Sequence, residues 1–501
     1  MTEPDINTEQ KTITPITTII ELAKVEEAVT TSKKNILFWA FYDAADTVFA
    51  MAIISITLYQ WGELMGMKQG YSFEDAHVMV STFLMISNII VAILLPILGA
   101  HSDIAGKRKL MVLIFGGTAI LLTPLIALSS RFLLGLFFLL FANVCYQAGN
   151  LYYESMLPYI CATESRAKVS AFGVAFGYVG TIFSILLIFI LPIIFGQATK
   201  ADDVINNIVA PENIQLGFVY WMFFFAALFY FLLLIPFLWV KEKYNESKEK
   251  LAVSRQIKST FVQLGRTIKE IFTENKGMLL FLLGWLLIND AVGTCIAILV
   301  DYLREGVGFG EMKAGIILFI GIIIGIGFLY IMGPIIDKRG PKFGIIITTV
   351  AWTVGIILAV LAGTTYKTTY DFSDGSIIII HKMKILAYFA SIVLSFAMGA
   401  IWIIARQFIL ELAPPEKIGQ YMGLKKISGK ASAAMGPIIF SLILSASLHL
   451  GKTIAYQIAI ISLLGTFFIG FIILLFIKNN HQRYMKGERF PYIKEEEKAL
   501  E

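Results

Sequence analysis

Charge is scarce in this chain. Only 15% of its 501 residues are Asp, Glu, Lys or Arg and 57% are hydrophobic, far from the roughly 25% charged and 45 to 50% apolar of an average soluble domain. That scarcity excludes a soluble globular protein and reads as an integral membrane protein. Cysteine is scarcer still. Cys145, Cys161 and Cys295 all sit in or at the ends of apolar runs and form no C-x-x-C pair, so they read as small apolar residues, not as disulfide, redox or metal ligands. The five His show no i, i+4 pairing, no Gly-Lys-Ser/Thr ending marks a phosphate loop, and no Ser/His/Asp arrangement is identifiable. An enzyme and a nucleotide-driven motor are therefore not expected, and neither is a metal or cofactor. The first 34 residues lack a basic region followed by an apolar core and a small-residue cleavage site, so no cleavable signal peptide is expected.

What the chain has instead is long apolar runs. A bilayer core takes about 20 apolar residues per helix. Twelve windows of that kind lie at about 36–61, 78–100, 110–129, 132–156, 169–195, 216–240, 277–303, 314–336, 343–362, 385–413, 420–448 and 454–477. They predict an all-α membrane protein of twelve transmembrane helices, six in each half. The expected organisation is an N-terminal segment (1–34), a first bundle (35–240), a linker (241–276), a second bundle (277–477) and a charged tail (478–501). In the linker, Ile257, Phe261, Leu264, Ile268 and Ile271 recur at spacings of four and three among nine Lys and Arg, the pattern of an amphipathic helix on a membrane face. Ile19, Leu22, Val25 and Val29 read as a shorter one.

The distribution of basic residues orients the chain. With both termini cytoplasmic, the cytoplasmic segments hold 30 Lys and Arg and the opposite loops 9, while Arg406 and Lys430 lie within spans. Spread over seven segments, these residues suit anionic lipid and not nucleic acid. A multi-pass protein of the cell (inner) membrane, acting as a monomer, is expected.

The halves repeat one another. G-A-H-S-D-I-A-G-K-R-K (Gly99 to Lys109) returns as G-P-I-I-D-K-R-G-P-K (Gly333 to Lys342), matching Gly99 and Asp103 with Gly333 and Asp337. Span 1 carries Y-D-A-A-D-T and span 7 N-D-A-V-G-T, so Asp43 aligns with Asp290 and Asp46 with Gly293. The run from Lys168 aligns with that from Ile418, Gly180 meeting Lys430. Offsets of 247, 234 and 250 residues for spans, hairpins and runs imply two pseudo-symmetric bundles in parallel orientation.

Ionisable residues inside spans are the candidates for function. Asp43 and Asp46 lie ten and thirteen residues past Lys33, about 15 and 20 Å along a helix, and Asp290 is similarly deep. A carboxylate there costs about 2.5 to 3.5 kcal/mol on insertion scales, so each needs a partner or a water-filled cavity. Arg406 and Lys430 are available cations, and Glu154 is a further acid. Each of these charges reads either as structural pairing or as part of a substrate or proton path. Asp43 and Asp46 share a helical face, where like charge raises one pKa, as a proton carrier requires; a structural hydrogen bond is the other reading of Asp46. Asn143, Tyr146, Gln147 and Asn150 form a polar stripe for cavity lining or helix contact.

The paired hairpins resemble the G-x-x-x-D-x-x-G-[RK]-[RK] signature of the major facilitator superfamily. Y-D-A-A-D, N-L-Y-Y-E-S-M-L-P, V-S-A-F-G-V-A-F-G-Y-V-G, N-D-A-V-G-T and the stretch from A-R-Q to M-G-P resemble its vacuole-effluxer-like branch. The resemblance implies the major facilitator fold and, from the eukaryotic members, amino-acid export; the bacterial members are mostly of unassigned substrate. It casts Asp43, Asp290, Arg406 and Lys430 as family-type charges and Asp103 and Asp337 as hinge-side contacts, with Gly99, Arg108, Gly333 and Arg339 beside them in the switch. Asp46 replaces the usual Asn, and Gln407 the usual Ser. The resulting expectation is a secondary active transporter for a small polar or zwitterionic metabolite, an amino acid or small peptide, coupled to protons. Asp43, Asp290, Asn143, Gln147, Arg406 and Lys430 would bind substrate, and Asp46, Asp43 and Glu154 would couple. Export of amphiphiles, for which 39 Phe supply aromatic lining, and a non-transporting receptor or scaffold are the alternatives.

Overall fold

The computed structural model describes residues 32–242, 253–372 and 375–488. The short helix expected around Ile19 to Val29 and the last part of the tail lie outside the described residues. Twelve helices are long and apolar enough to cross a membrane. They are α1 (Lys33–Lys68), α2 (Phe73–Ala105), α3 (Arg108–Leu128), α4 (Phe132–Ser155), α5 (Thr163–Phe195), α6 (Phe218–Trp239), α7 (Lys276–Gly306), α8 (Lys313–Arg339), α9 (Pro341–Gly363), α10 (Leu386–Leu412), α11 (Pro415–Leu450) and α12 (Lys452–Leu475). Each expected span falls on one of them.

Local chemistry sets the ends. Ser32 and Ser72 cap α1 and α2, their side chains accepting from the Asn35 and Asp75 amides at 3.2 and 3.0 Å, which satisfies an N–H the first turn cannot. Gly106 ends α2 in the left-handed conformation at φ 65°, open to glycine without steric cost, and this turn makes the basic hairpin possible. Inside α1 the winding loosens to a π-helix over Phe49–Thr57. There Ser55 and Thr57 donate to carbonyls five residues back, at 3.0 and 2.6 Å. A second π turn, Tyr302–Gly306, closes α7, so the first helix of each half is under-wound near the same end.

One expectation was incomplete. The loop after α9 carries an antiparallel hairpin, β1 (Thr365–Phe372) and β2 (Gly375–Lys382), in register from Thr365 opposite Lys382 to Phe372 opposite Gly375. Its sequence is rich in Thr, Tyr and Ile on either side of S-D-G, the composition that favours strands around a tight turn.

The described chain ends, both basic hairpins and the linker helix Val253–Thr273 lie on one membrane face, called here the terminal face. Asn35 at the start of α1 and Lys241 after α6 exchange hydrogen bonds of 2.9 and 2.7 Å. The linker helix packs on α2 and reaches the second half through Thr267, which donates to Gln420 Oε1 at 2.8 Å. Phe261, Ile268 and Phe272 stay exposed on it. Between the halves, α2 packs on α11 and α5 on α8. Glycine allows the closest approaches: a Cβ on Gly99 would lie 2.2 Å from the Gly419 carbonyl oxygen, and one on Gly333 2.8 Å from the Lys168 Cα.

Candidate functional site

Within the membrane, α1 and α4 of the first half present acids to α10 and α11 of the second, which present bases. Asp43 and Asp46 are both buried. Asp43 Oδ2 lies 3.5 Å from Arg406 Nη1 and accepts from the Tyr153 hydroxyl at 3.2 Å. Tyr153 is held by stacking on Trp39, ring centroids 4.5 Å apart. Gly173 of α5 covers the carboxylate so closely that a Cβ would stand 2.9 Å from Oδ2. Asp46 Oδ2 accepts from Asn150 Nδ2 at 2.7 Å, and its Oδ1 has no partner among the described residues.

Glu154 is the most heavily paired acid in the cluster. Arg406 Nε lies 3.3 Å from Oε1, and Lys425 and Lys426 Nζ lie 3.0 and 3.4 Å from Oε2. Arg406 also donates to Ser170 Oγ at 3.3 Å, and Lys426 donates to Asn150 Oδ1. One continuous network therefore runs from Asp46 through Asn150, Lys426, Glu154 and Arg406 to Asp43. Three cations thus surround Glu154, the acid expected in the proton path.

Lys425 and Lys426 lie within the expected window 420–448 but are counted with the cytoplasmic charges. The structure places them in the cluster instead, because α11 is already helical at Ile418. Lys430, one turn beyond Lys426, is half-buried with no ion-pair partner among the described residues. Asn143 is buried and donates to Ser87 Oγ at 2.7 Å, tying α4 to α2. Gln147 is half-buried and makes no hydrogen bond among the described residues. Asp290 does not join Arg406; it is buried on α7 against Gly436 of α11.

At the terminal face, the two hairpin carboxylates each cap a helix of the opposite half. Asp103 accepts from the Gly419 and Gln420 amides at 2.8 and 3.0 Å, and Asp337 from the Ala167 and Lys168 amides at 2.7 and 2.8 Å. An anion on the first-turn N–H groups of a helix is stabilised by unsatisfied donors and by the dipole together. Arg108 supports Asp103 at 3.4 Å, reaches Glu242 at 3.4 Å and lies 4.2 Å from the Tyr159 ring centroid. Burial holds the Glu242 carboxyl above its ordinary range, against the pull of Arg108 and the Lys109 amide. Arg339 does not repeat these contacts. It is exposed over the Phe343 ring at 4.5 Å, and His481 of the tail stands on that side, with Nδ1 2.7 Å from Glu411 and Nε2 3.0 Å from the Asp337 carbonyl oxygen. Glu411 and His481 went unnoticed in the sequence, one at the end of a span and the other in a tail read as solvated.

The family described as "Vacuole effluxer Atg22 like" matches residues 31–486. The chain belongs to that family. It is accordingly a multi-pass membrane transporter and not an enzyme. Among relatives, an uncharacterized MFS-type transporter, YxiO, of Bacillus subtilis is 25% identical over 442 residues, 88% of this chain and 94% of that protein. Autophagy-related protein 22 of Eremothecium gossypii is 21% identical over 350 residues, 66% of this chain and 63% of that one. The fold is that of the major facilitator superfamily. The proton:xylose symporter XylE superposes with a TM-score of 0.62 at 14% identity, covering 91% of this chain and 97% of that one. The human organic anion transporter MFSD10 superposes with 0.61 at 13%, covering 88% and 99%. In this effluxer-like chain the acids of α1 and α4 and the bases of α10 and α11 meet between the two halves.

Proposed function

We propose that the protein moves a small zwitterionic metabolite, an amino acid or small peptide, across the cell membrane by alternating access, coupled to protons. The observation that carries this reading is the charge balance of the cluster. Asp43, Asp46 and Glu154 face Arg406, Lys425 and Lys426, and Lys430 remains as a cation without a counter-charge among the described residues. A cation in excess within the membrane calls for an anion, and a substrate carboxylate supplies one. Asp46 carries the coupling proton in this reading: a second acid, Asp43, stands one turn away on the same helical face, and one Asp46 oxygen has no partner among the described residues. The description of the matching family, effluxer, supports export as the direction.

Asp103 and Asp337 act as the conformational switch. Their bonds across the halves exist only while the terminal face is closed, so they belong to one state of the rocking cycle. That face is cytoplasmic in this reading. Lys250→Cys and Met485→Cys, made without Cys145, Cys161 and Cys295, should label only from the cytoplasm; labelling from outside overturns the orientation.

The decisive experiment is counterflow in proteoliposomes with pools of amino acids, small peptides, sugars and lipophilic cations. Carboxylate-bearing zwitterions should exchange, and Lys430→Gln should weaken them at least tenfold without loss of folded protein. Exchange of lipophilic cations alone, unaffected by Lys430→Gln, overturns the proposal in favour of an amphiphile exporter.

A further inference from the structure

The first helix of each half carries the same D-x-x-x-T, Asp43 to Thr47 and Asp290 to Thr294, but the two are completed differently. In α1 the Thr47 hydroxyl donates to the Asp43 carbonyl oxygen at 2.7 Å, and the Asp43 carboxylate is met by Arg406 and Tyr153. In α7 neither arrangement exists. Asp290 Oδ1 and Thr294 Oγ1 are both buried and both lack any hydrogen-bond partner among the described residues. Other membrane-helix threonines, including Thr118, Thr123, Thr348, Thr349 and Thr353, turn their hydroxyls back onto the carbonyl four residues earlier. Thr294 turns its hydroxyl toward Gly436 of α11.

Two orphaned oxygens in one place are costly, since an unpaired buried polar group loses its hydration without recompense. They also converge. A Cβ built on Gly436 would stand 1.9 Å from Thr294 Oγ1 and 2.8 Å from Asp290 Oδ1. Both oxygens therefore press on the bare Cα of Gly436, where no side chain fits, and the Gly436 amide reaches the Asp290 carboxylate as well. The open side is the other one: Gly293, which stands where α1 has Asp46, is exposed with nothing within 4 Å of a side chain's first atom, so that flank of the site is open.

We propose that Asp290 and Thr294 form a binding site for a monovalent metal cation, with Na+ as the ion to test, roofed by Gly436. Hard cations take oxygen ligands. Ca2+, nearly the size of Na+, holds them at about 2.3 to 2.6 Å; the Gly436 geometry puts the two oxygens no more than about 5 Å apart, within reach of one such ion. A single carboxylate neutralises a single charge, and among the described residues no group of three or more His, Cys, Asp and Glu could hold a metal, which favours a monovalent over a divalent ion. Water completes the shell. In the first half a protein cation, the Arg406 guanidinium, occupies the equivalent place beside the Asp; in the second half the cation comes from solution. This site goes beyond the Asp46 reading and does not depend on it.

The test uses the full chain in detergent, with Tm and 22Na+ binding measured as NaCl replaces choline chloride at constant ionic strength and fixed pH. The wild type should show a saturable Na+-dependent rise in Tm and about one bound ion per chain. Thr294→Ala should weaken the apparent affinity at least tenfold, Asp290→Asn and Gly436→Ala should abolish binding, and Asp46→Asn should leave it intact. Thr294→Ala removes one hydroxyl and keeps the proposal testable if the other variants do not fold. No Na+-specific response in the wild type overturns it, as does a response equally strong in Thr294→Ala. A Tm that responds to pH through Asp290 but not to Na+ also overturns it, by making Asp290 a proton site.

Discussion

Asp43 and Asp290 hold matching positions in the first helix of each half and stand in opposite circumstances. Asp43 has a guanidinium at 3.5 Å, a tyrosine hydroxyl at 3.2 Å and a second acid one turn away. Asp290 has a carboxylate oxygen with no partner among the described residues and a glycine where that second acid would be. The terminal face shows the reverse. Asp103 and Asp337 each cap a helix of the other half through two backbone amides at nearly equal distances. Backbone amides at a helix start exist whatever the side chains are, so that contact survives divergence of sequence. Contacts made by side chains, as in the membrane interior, can be lost or gained one residue at a time. The halves therefore remain alike where they meet at the terminal face and differ where the charges lie in the membrane interior.

Removing Arg406 should break this contrast most completely. Arg406→Ala would leave Asp43 without its only ion pair among the described residues and Glu154 with two cations instead of three. Breaking a buried pair from one side costs about 3 to 5 kcal/mol. The variant should lose transport in proteoliposomes and unfold at a markedly lower temperature. Unchanged stability would show that the cluster is well hydrated and that Arg406 is not its keystone.

The two acids of α1 provide the next contrast. Asp46→Asn should abolish substrate-driven proton movement while exchange continues, and Asp43→Asn should damage both, because among the described residues Asp43 is the one of the two that forms an ion pair with the other half. Proton coupling at normal stoichiometry in Asp46→Asn would make Asp46 a hydrogen-bonding residue for Asn150 and nothing more. Smaller still is the effect expected at the switch. A charge on a helix N-terminus is worth about 0.3 to 1 kcal/mol, up to about 2 when partly buried, so Asp103→Asn should move the balance between states by at most about thirtyfold. Asp337→Asn should move it similarly, since the amide contacts are matched. Cysteine accessibility at the terminal face reads this balance. Loss of binding in a state-locked Asp103→Asn protein would place Asp103 in the substrate site instead.

Much of this architecture was legible because hydropathy reports on the membrane directly. Asp43, Asp46, Asp290 and Arg406 stood out as charges inside apolar windows. Lys425 and Lys426 did not, because they lie in the polar first turns of the 420–448 window, G-Q-Y-M-G-L-K-K from Gly419, near enough to its cytoplasmic end to be counted with the charges there. Their spacing from Lys430 was the available signal, placing Lys426 and Lys430 on one helical face. Asn143 was ambiguous by nature, since a polar stripe serves packing as well as it lines a cavity. The emptiness around Asp290 had no sequence signal at all, because it depends on which way the Thr294 hydroxyl turns.

The finest distinction between the halves lies at His481. Glu154 and Glu411 correspond, each followed four residues later by proline and separated by 257 residues. Glu154 is met by Arg406, Lys425 and Lys426 across the halves, whereas Glu411 is met by Gln407 at 3.0 Å and His481 at 2.7 Å. Both His481 ring nitrogens face acceptors, the Glu411 carboxylate and the Asp337 carbonyl oxygen, and only a protonated ring donates from both. Burial pushes the imidazole down, but Glu411 and Asp337 outweigh it and hold the ring above its ordinary value. A raised pKa means that docking of the tail helix, His481–Met485, is stabilised in full below about pH 6.5, and that this contribution is lost as pH rises through the folded value. The other charges nearby, Arg166 against Tyr484 and Arg483 against Glu488, do not depend on the ring. Labelling of Met485→Cys should therefore quicken a few-fold between pH 6 and 8.5 after correction for thiol ionisation, in keeping with the roughly 1 kcal/mol of a net hydrogen bond. In His481→Gln the corrected rate should be flat with pH and fast throughout. A pH dependence of the same size in His481→Gln would mean that the tail is held through Arg166 and Tyr484 instead, and that the second half has no titrating contact at its terminal face.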